Sequence, residues 1–150
     1  MLKTVERVLR LQDIEFLAGT PTESLVRLAV ASTYEDVPAG ATLFELGESP
    51  DELIFVVAGE VKLTNQEGCS STVELTGLDF LSVLAEVPHI VTARAATSCS
   101  VLRVSLDNLV ELLSSDAEFS WRILKYVAAL GRSTCFGDPV PEYPRLASKK

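Results

Sequence analysis

His89 is the one histidine in the chain, and imidazole is the side chain best placed to exchange a proton near neutrality. A general base or metal ligand needs a partner within reach, and the nearby sequence supplies only Glu86 as a carboxylate. His89 therefore reads as an exposed loop residue following Pro88. Cys69, Cys99 and Cys135 are odd in number and widely separated, which suits neither a disulfide framework nor a zinc knuckle and leaves free thiols as the expectation. There is no phosphate loop and no metal-ligand spacing, so neither a catalytic residue nor a metal site is expected, and the chain does not read as an enzyme.

Non-catalytic chemistry of this kind requires a folded domain. At 150 residues, 47% apolar and 23% charged, the chain has the make-up of one globular core that buries about 70% of the surface exposed by the unfolded chain. Its net charge of -8 opposes phosphate polymers, which excludes nucleic-acid binding by this chain alone. The longest apolar run, Leu53 to Ala58, is far short of the about 20 residues that a membrane helix needs, so no membrane insertion is expected. Charges at Lys3, Glu6, Arg7 and Arg10 interrupt the apolar core that a secretion signal would require, and a cytoplasmic location follows as the expectation.

Helical periodicity frames the two ends of the domain. Val5, Val8, Leu9 and Leu11 suit a short amphipathic helix before Gly19; Thr20 then reads as an N-cap ahead of Pro21, opening a helix that runs to about Ser32 with Leu25, Leu28 and Ala29 inward. Residues 33–104 change texture to short β-prone runs separated by Gly40, Gly47, Gly59, Gly68 and Gly77. Leu53 to Val57 is apolar on both faces, as a central strand would be, whereas Glu60 to Thr64 alternates as a strand wet on one face would. Helices return over about 105–131. Ser105 is the first N-cap, with Leu106, Leu109, Val110 and Leu113 on one stripe; Ser115 to Glu118 has the form of a capping box; Gly131 is the stop. Residues 137–150, proline-rich and aperiodic, read as a flexible tail after a domain of residues 1–136.

Two stretches carry a family resemblance. Pro38 to Gly47 resembles the segment in which a glycine turn leads a strand to a second glycine, and Asp51 to Leu63 is similar to the most recognisable segment of the cyclic-nucleotide-binding domain family. The likeness extends over roughly Val5 to Arg132. It implies a mainly β fold, a double-stranded β-helix (jelly-roll) barrel flanked by N- and C-terminal α-helices, of the type found in catabolite activators. In that family a short helical cassette cradles the cyclic phosphate, with arginine offering a planar fork, glutamate accepting from the ribose hydroxyl, and helix N–H groups completing the anion site.

The matching cassette here runs from Glu74 to Ala95 and has lost those anchors. Asp79, Phe80 and Leu84 fit; Leu78 and Ser82 stand where glycines belong, Val83 where the glutamate belongs, His89 for the arginine and Ile90 for the hydroxyl residue after it. The stretch from Val83 to His89 is also shorter than the usual cassette. The candidate ligand residues are thus Leu81, Ser82, Val83, Leu84, His89, Ile90 and Val91, with Ser82 read as a helix cap and Val83, Ile90 and Val91 as fillers of the vacated pocket. Arg94 is no substitute, because residues five apart in a strand face opposite ways. Loss of both charged anchors weakens cyclic-nucleotide binding on the order of a thousandfold. The resemblance therefore implies a non-enzymatic regulatory or protein-interaction module without a cofactor, the alternative being a true cyclic AMP or cyclic GMP receptor with an altered phosphate site. Ile123, Val127 and Leu130 form a candidate seam on the last helix, for a protein partner or self-dimer. With about 20 residues after Leu130, no DNA-reading domain of the kind that follows in the family's transcription factors is expected in this chain.

Overall fold

The computed structural model describes residues 3–136; the proposed tail at 137–150 lies outside them. Two helices, α1 (Thr4–Leu11) and α2 (Thr22–Ala31), precede the strands, with a 3-10 turn at Glu15–Leu17 between them. The strands are β1 (Thr33–Val37), β2 (Thr42–Phe44), β3 (Glu52–Ala58), β4 (Val61–Asn65), β5 (Ser70–Val73), β6 (Thr76–Gly77), β7 (Val91–Ala95) and β8 (Cys99–Ser105). A short helix, α3 (Phe80–Ala85), interrupts the strands between β6 and β7, and α4 (Leu106–Ser115) and α5 (Ala117–Phe136) follow β8.

The strands divide into two antiparallel sheets, ordered β1-β8-β3-β6 and β2-β7-β4-β5. The fold is thus mainly antiparallel β with helices at both ends, and its strands make two sheets rather than one closed barrel. β3 explains the layering. Its alternate residues Leu53, Phe55 and Val57 face a core shared with the helices, while Ile54 and Val56 face a second core between the sheets, so both faces of the strand are dry. β4 alternates as its sequence predicts, with Val61 buried and Lys62 exposed.

Two glycines are fixed by close approach. Gly59, at φ +88°, turns β3 into β4, and a Cβ there would lie 2.3 Å from the Ser98 carbonyl oxygen. Gly77 lies within β6 instead of in a turn; a Cβ would sit 3.1 Å from the Phe16 ring. Cys69 and Cys99 are free thiols, as expected. Cys99 is buried, which pushes its thiol pKa up and leaves it unreactive.

Helix ends depart from the sequence reading by a residue or more. Thr20 does not cap α2: its N–H donates to Leu17 O at 3.1 Å to close the preceding turn, and its hydroxyl is buried without a hydrogen-bond partner. Ser105 does cap α4, accepting from Asn108 N at 3.1 Å. On α4, Leu112 is buried and Val110 is exposed, because the inward stripe runs through Leu109 and Leu112. Asp116, not Ser115, caps α5. Its Oδ1 accepts from Phe119 N at 3.0 Å, while the Ser115 hydroxyl turns back to donate to Glu111 O. Gly131 does not end α5, which continues to Phe136. One glycine in a helix costs about 1 kcal/mol, too little to stop it unaided.

α1 is held by guanidinium groups as well as by Val8 and Leu11. Arg7 Nη1 donates to Ser32 O at 2.8 Å beyond the end of α2, and Arg10 Nη1 to Val57 O at 3.1 Å in β3. Asp116 joins α2 to the start of α5: its Oδ2 accepts from the Ser24 hydroxyl of α2 at 2.5 Å and from Arg27. The Ser24 hydroxyl, then the Phe119 N–H and Arg27, lower the Asp116 pKa from 3.8 to about 2. Because the folded value lies below the unfolded one, this stabilisation is complete above about pH 4 and drains away between there and about pH 2. Asp116→Ala should lower unfolding free energy by about 1–2 kcal/mol at neutral pH and flatten that acid loss, as read by urea denaturation across the range.

Candidate ligand cassette

The cassette is the link from β6 through α3 to β7. Among the described residues the non-glycine positions with left-handed backbone are Leu75, just before β6, and Asp79 and Glu86 within this link. Such backbone costs an L-residue about 1–2 kcal/mol each, so surrounding contacts must hold it. Asp79 is the N-cap of α3, and its backbone carbonyl accepts from Ser82 N at 3.1 Å. Glu86 closes the helix, with Val87 N donating to Ser82 O at 3.1 Å.

Its central contact is an internal pair. Asp79 Oδ2 lies 3.0 Å from His89 Nδ1 and accepts from Ile90 N at 3.2 Å; the two side chains are 7% and 4% exposed. With the carboxylate as acceptor, the ring nitrogen is the donor. The imidazole also stacks on Phe44, with centroids 3.7 Å apart and planes 14° from parallel. Its backbone bridges to the turn after β2: His89 N donates to Glu48 O at 2.9 Å and Gly47 N to His89 O at 2.8 Å. The expected exposed loop histidine is therefore a buried residue, paired with a carboxylate ten positions earlier that local inspection around His89 passes over.

The other candidate residues scatter. Val83, at the ribose-binding position, is fully buried and faces the helix-side core; Leu84 packs against that core in part. Ser82 is buried inside α3 and is not its cap, a place taken by Asp79. Leu81 and Ile90 are 47% and 66% exposed, so Ile90 does not fill a pocket; its N–H serves Asp79 and its side chain meets solvent. Val91 packs in part against the inter-sheet core, and Leu78 fills that core where the family pattern has glycine. Arg94 is exposed on the outer face of β7, between buried Ala93 and Ala95, as the alternation requires. A hollow of about 240 Å³ beside His89 is bordered by Glu48, Asp51 and Glu52, a lining unfavourable to an anion.

The cassette is also tied to the helices. Phe80 of α3 stacks on Phe16 at 4.6 Å and 10°, and both rings contact Tyr126 of α5, at 5.8 Å and 5.7 Å. On α5, Ile123 is buried and Val127 packs against the helix-side core, while Leu130 is half-buried; the candidate seam is therefore turned largely toward its own domain. The exposed apolar face of α5 carries Trp121 and Leu124 instead.

Two antiparallel sheets, flanking helices and a short helix between β6 and β7 define the class of domain by its architecture. The comparisons agree, since residues 34–116 match the model of the cyclic nucleotide-binding domain. The chain belongs to that family. It is 28% identical over 120 residues to the potassium channel AKT2 of Oryza sativa subsp. japonica, a match covering 76% of this chain and 14% of the channel. Among solved structures it resembles the N-terminal domain of a transcriptional regulator from Streptomyces coelicolor A3(2), with 27% identity, a TM-score of 0.67, and coverage of 85% of this chain and 94% of that one. The sensor domain of the transcriptional regulator DNR from Pseudomonas aeruginosa shares the fold at 16% identity and a TM-score of 0.70, with 92% and 96% covered.

The pair predicts its own test. Asp79→Ala leaves the buried His89 ring nitrogen without its acceptor, frees the Ile90 N–H, and should cost about 1–3 kcal/mol, measured by chemical denaturation; exposed Leu81→Ala should cost under about 0.5 kcal/mol.

Proposed function

We propose that this chain is a non-enzymatic regulatory or protein-interaction module of the cyclic nucleotide-binding domain family that does not hold cyclic AMP or cyclic GMP in the family's usual way. The observation that carries this reading is the Asp79 carboxylate, which takes the donors of His89 and Ile90 at the two positions that align with the phosphate-binding residues. An internal anion sits where an external one would have to be recruited. A cyclic phosphate arriving there would meet a neighbouring carboxylate in place of a guanidinium, and the ribose would meet Val83, whose side chain is buried in the core.

The relatives support a regulatory role in a larger setting. Their names describe a channel and transcriptional regulators, and the chain spans about 14% of the channel's length. The Phe80, Phe16 and Tyr126 contacts give the cassette a packed connection to α5, through which a change at one end would be felt at the other. Trp121 and Leu124 offer α5 an exposed apolar face for a protein partner or a second copy. In this reading the two sheets and their helices follow the family's jelly-roll arrangement and need no cofactor.

A thermal-shift titration separates this reading from that of a genuine receptor. Millimolar ligand acting at micromolar affinity would stabilise the fold by about 4 kcal/mol and raise the melting temperature by several degrees. The expectation here is a shift under about 1 °C with either nucleotide, since millimolar affinity yields only a few tenths of a kcal/mol. A shift of several degrees with either nucleotide would instead establish the receptor reading.

A further inference from the structure

The outer face of the second sheet carries an arrangement that the cassette does not use. In the ladder of β4 and β7, Lys62 stands directly opposite Arg94; one strand further on each side, Thr42 is opposite Arg94 and Thr72 opposite Lys62. Two cations and two threonines thus form one row across four strands. The neighbouring row on the same face, two residues along, is Thr92, Thr64 and Ser70. Lys62 and Arg94 are exposed, Thr64 and Thr92 half-buried, and a hollow of about 290 Å³ is lined by these four residues and Asn65.

Like charges opposite one another on adjacent strands are destabilising, and neither cation has an acidic partner among the described residues. The chain has eight more acidic than basic side chains, yet among the described residues none forms an ion pair with either cation. The hydroxyls add donors. Thr92 Oγ1 already accepts from Leu46 N at 3.0 Å, leaving its O–H to give, and Thr64 and Ser70 share one bond at 2.9 Å, so one of their two protons is free. A compact group presenting several acceptor oxygens and negative charge meets all of these needs together; a tetrahedral oxyanion does so, with the guanidinium supplying a planar fork and the ammonium a point charge.

We propose that Lys62 and Arg94, with the Thr64 and Thr92 hydroxyls, form a binding site for a phosphate-type oxyanion, free or carried as a small phosphate monoester. The site does not depend on the cassette, since Arg94 faces away from the inter-sheet core. The chain's overall negative field disfavours distant capture of anions, so binding here rests on direct contact.

The test is an amide NMR titration of the protein with inorganic phosphate, against sodium chloride at matched ionic strength, with glycerol phosphate as a parallel arm. The expected result is saturable shifts confined to β4 and β7 around Lys62, Thr64, Thr92 and Arg94. In the Lys62→Gln/Arg94→Gln variant, affinity should fall at least about tenfold while the melting temperature stays level or rises, because the opposed charges are gone. Stronger binding of glycerol phosphate assigns the monoester, and equal binding assigns the free anion. Should the double variant not fold, Lys62→Gln alone must weaken binding severalfold. Shifts that fail to saturate, spread across the chain, or persist unchanged in the variant would overturn the site.

Discussion

A carboxylate removed from water must find donors, and in this domain Asp79 finds them within its own cassette. That requirement organises the link between the sheets. Asp79 adopts left-handed backbone to begin α3, and its side chain reaches the start of β7, drawing His89 against Phe44 and fixing Ile90 with its N–H inward and its side chain outward. Through His89 the same pair reaches the turn after β2 by two backbone hydrogen bonds. A helix of six residues is too short to persist on its own, and these contacts, with Phe80 on Phe16, are what hold it.

The surrounding fold supplies a rigid frame for that pair. β3 presents one face to the helices and the other to the second sheet, so the two cores share a wall. Gly59 lets the chain leave β3 tightly against Ser98 and Cys99, and Gly77 lets β6 pass under Phe16 and Phe55. The Asp116 corner ties α2 to the start of α5. α5 therefore touches both the N-terminal helices and, through Tyr126, the cassette.

Much of this was legible in the residue pattern because it follows from burial. The two-faced apolar run of β3, the alternation of β4, the glycine turns and the existence of every long helix come from periodicity that tertiary packing then uses. Cap positions were less legible. Thr20, Ser115 and Asp116 are all good caps by type, and the choice among them was made by the turn before α2 and by Ser24 and Arg27, which are distant in sequence. The substitution of His89 for arginine could be read directly, whereas its partner could not: Asp79 lies ten residues away and meets it only because α3 folds between them. The signal available was an aspartate standing just before a short helix in the same cassette. Ile90 departs from its expected place in the pocket for a related reason, since a strand's entry residue takes its orientation from the preceding loop.

The central claim is that Asp79, not a nucleotide phosphate, is the anion served by His89 and Ile90. It is tested most directly by following the His89 ring nitrogens and the Ile90 amide in a nitrogen-15 labelled sample as millimolar cyclic AMP is added. The account predicts that both sets of signals, including a ring N–H held by Asp79, stay where they are. Displacement of those signals, saturating at micromolar nucleotide, would contradict it.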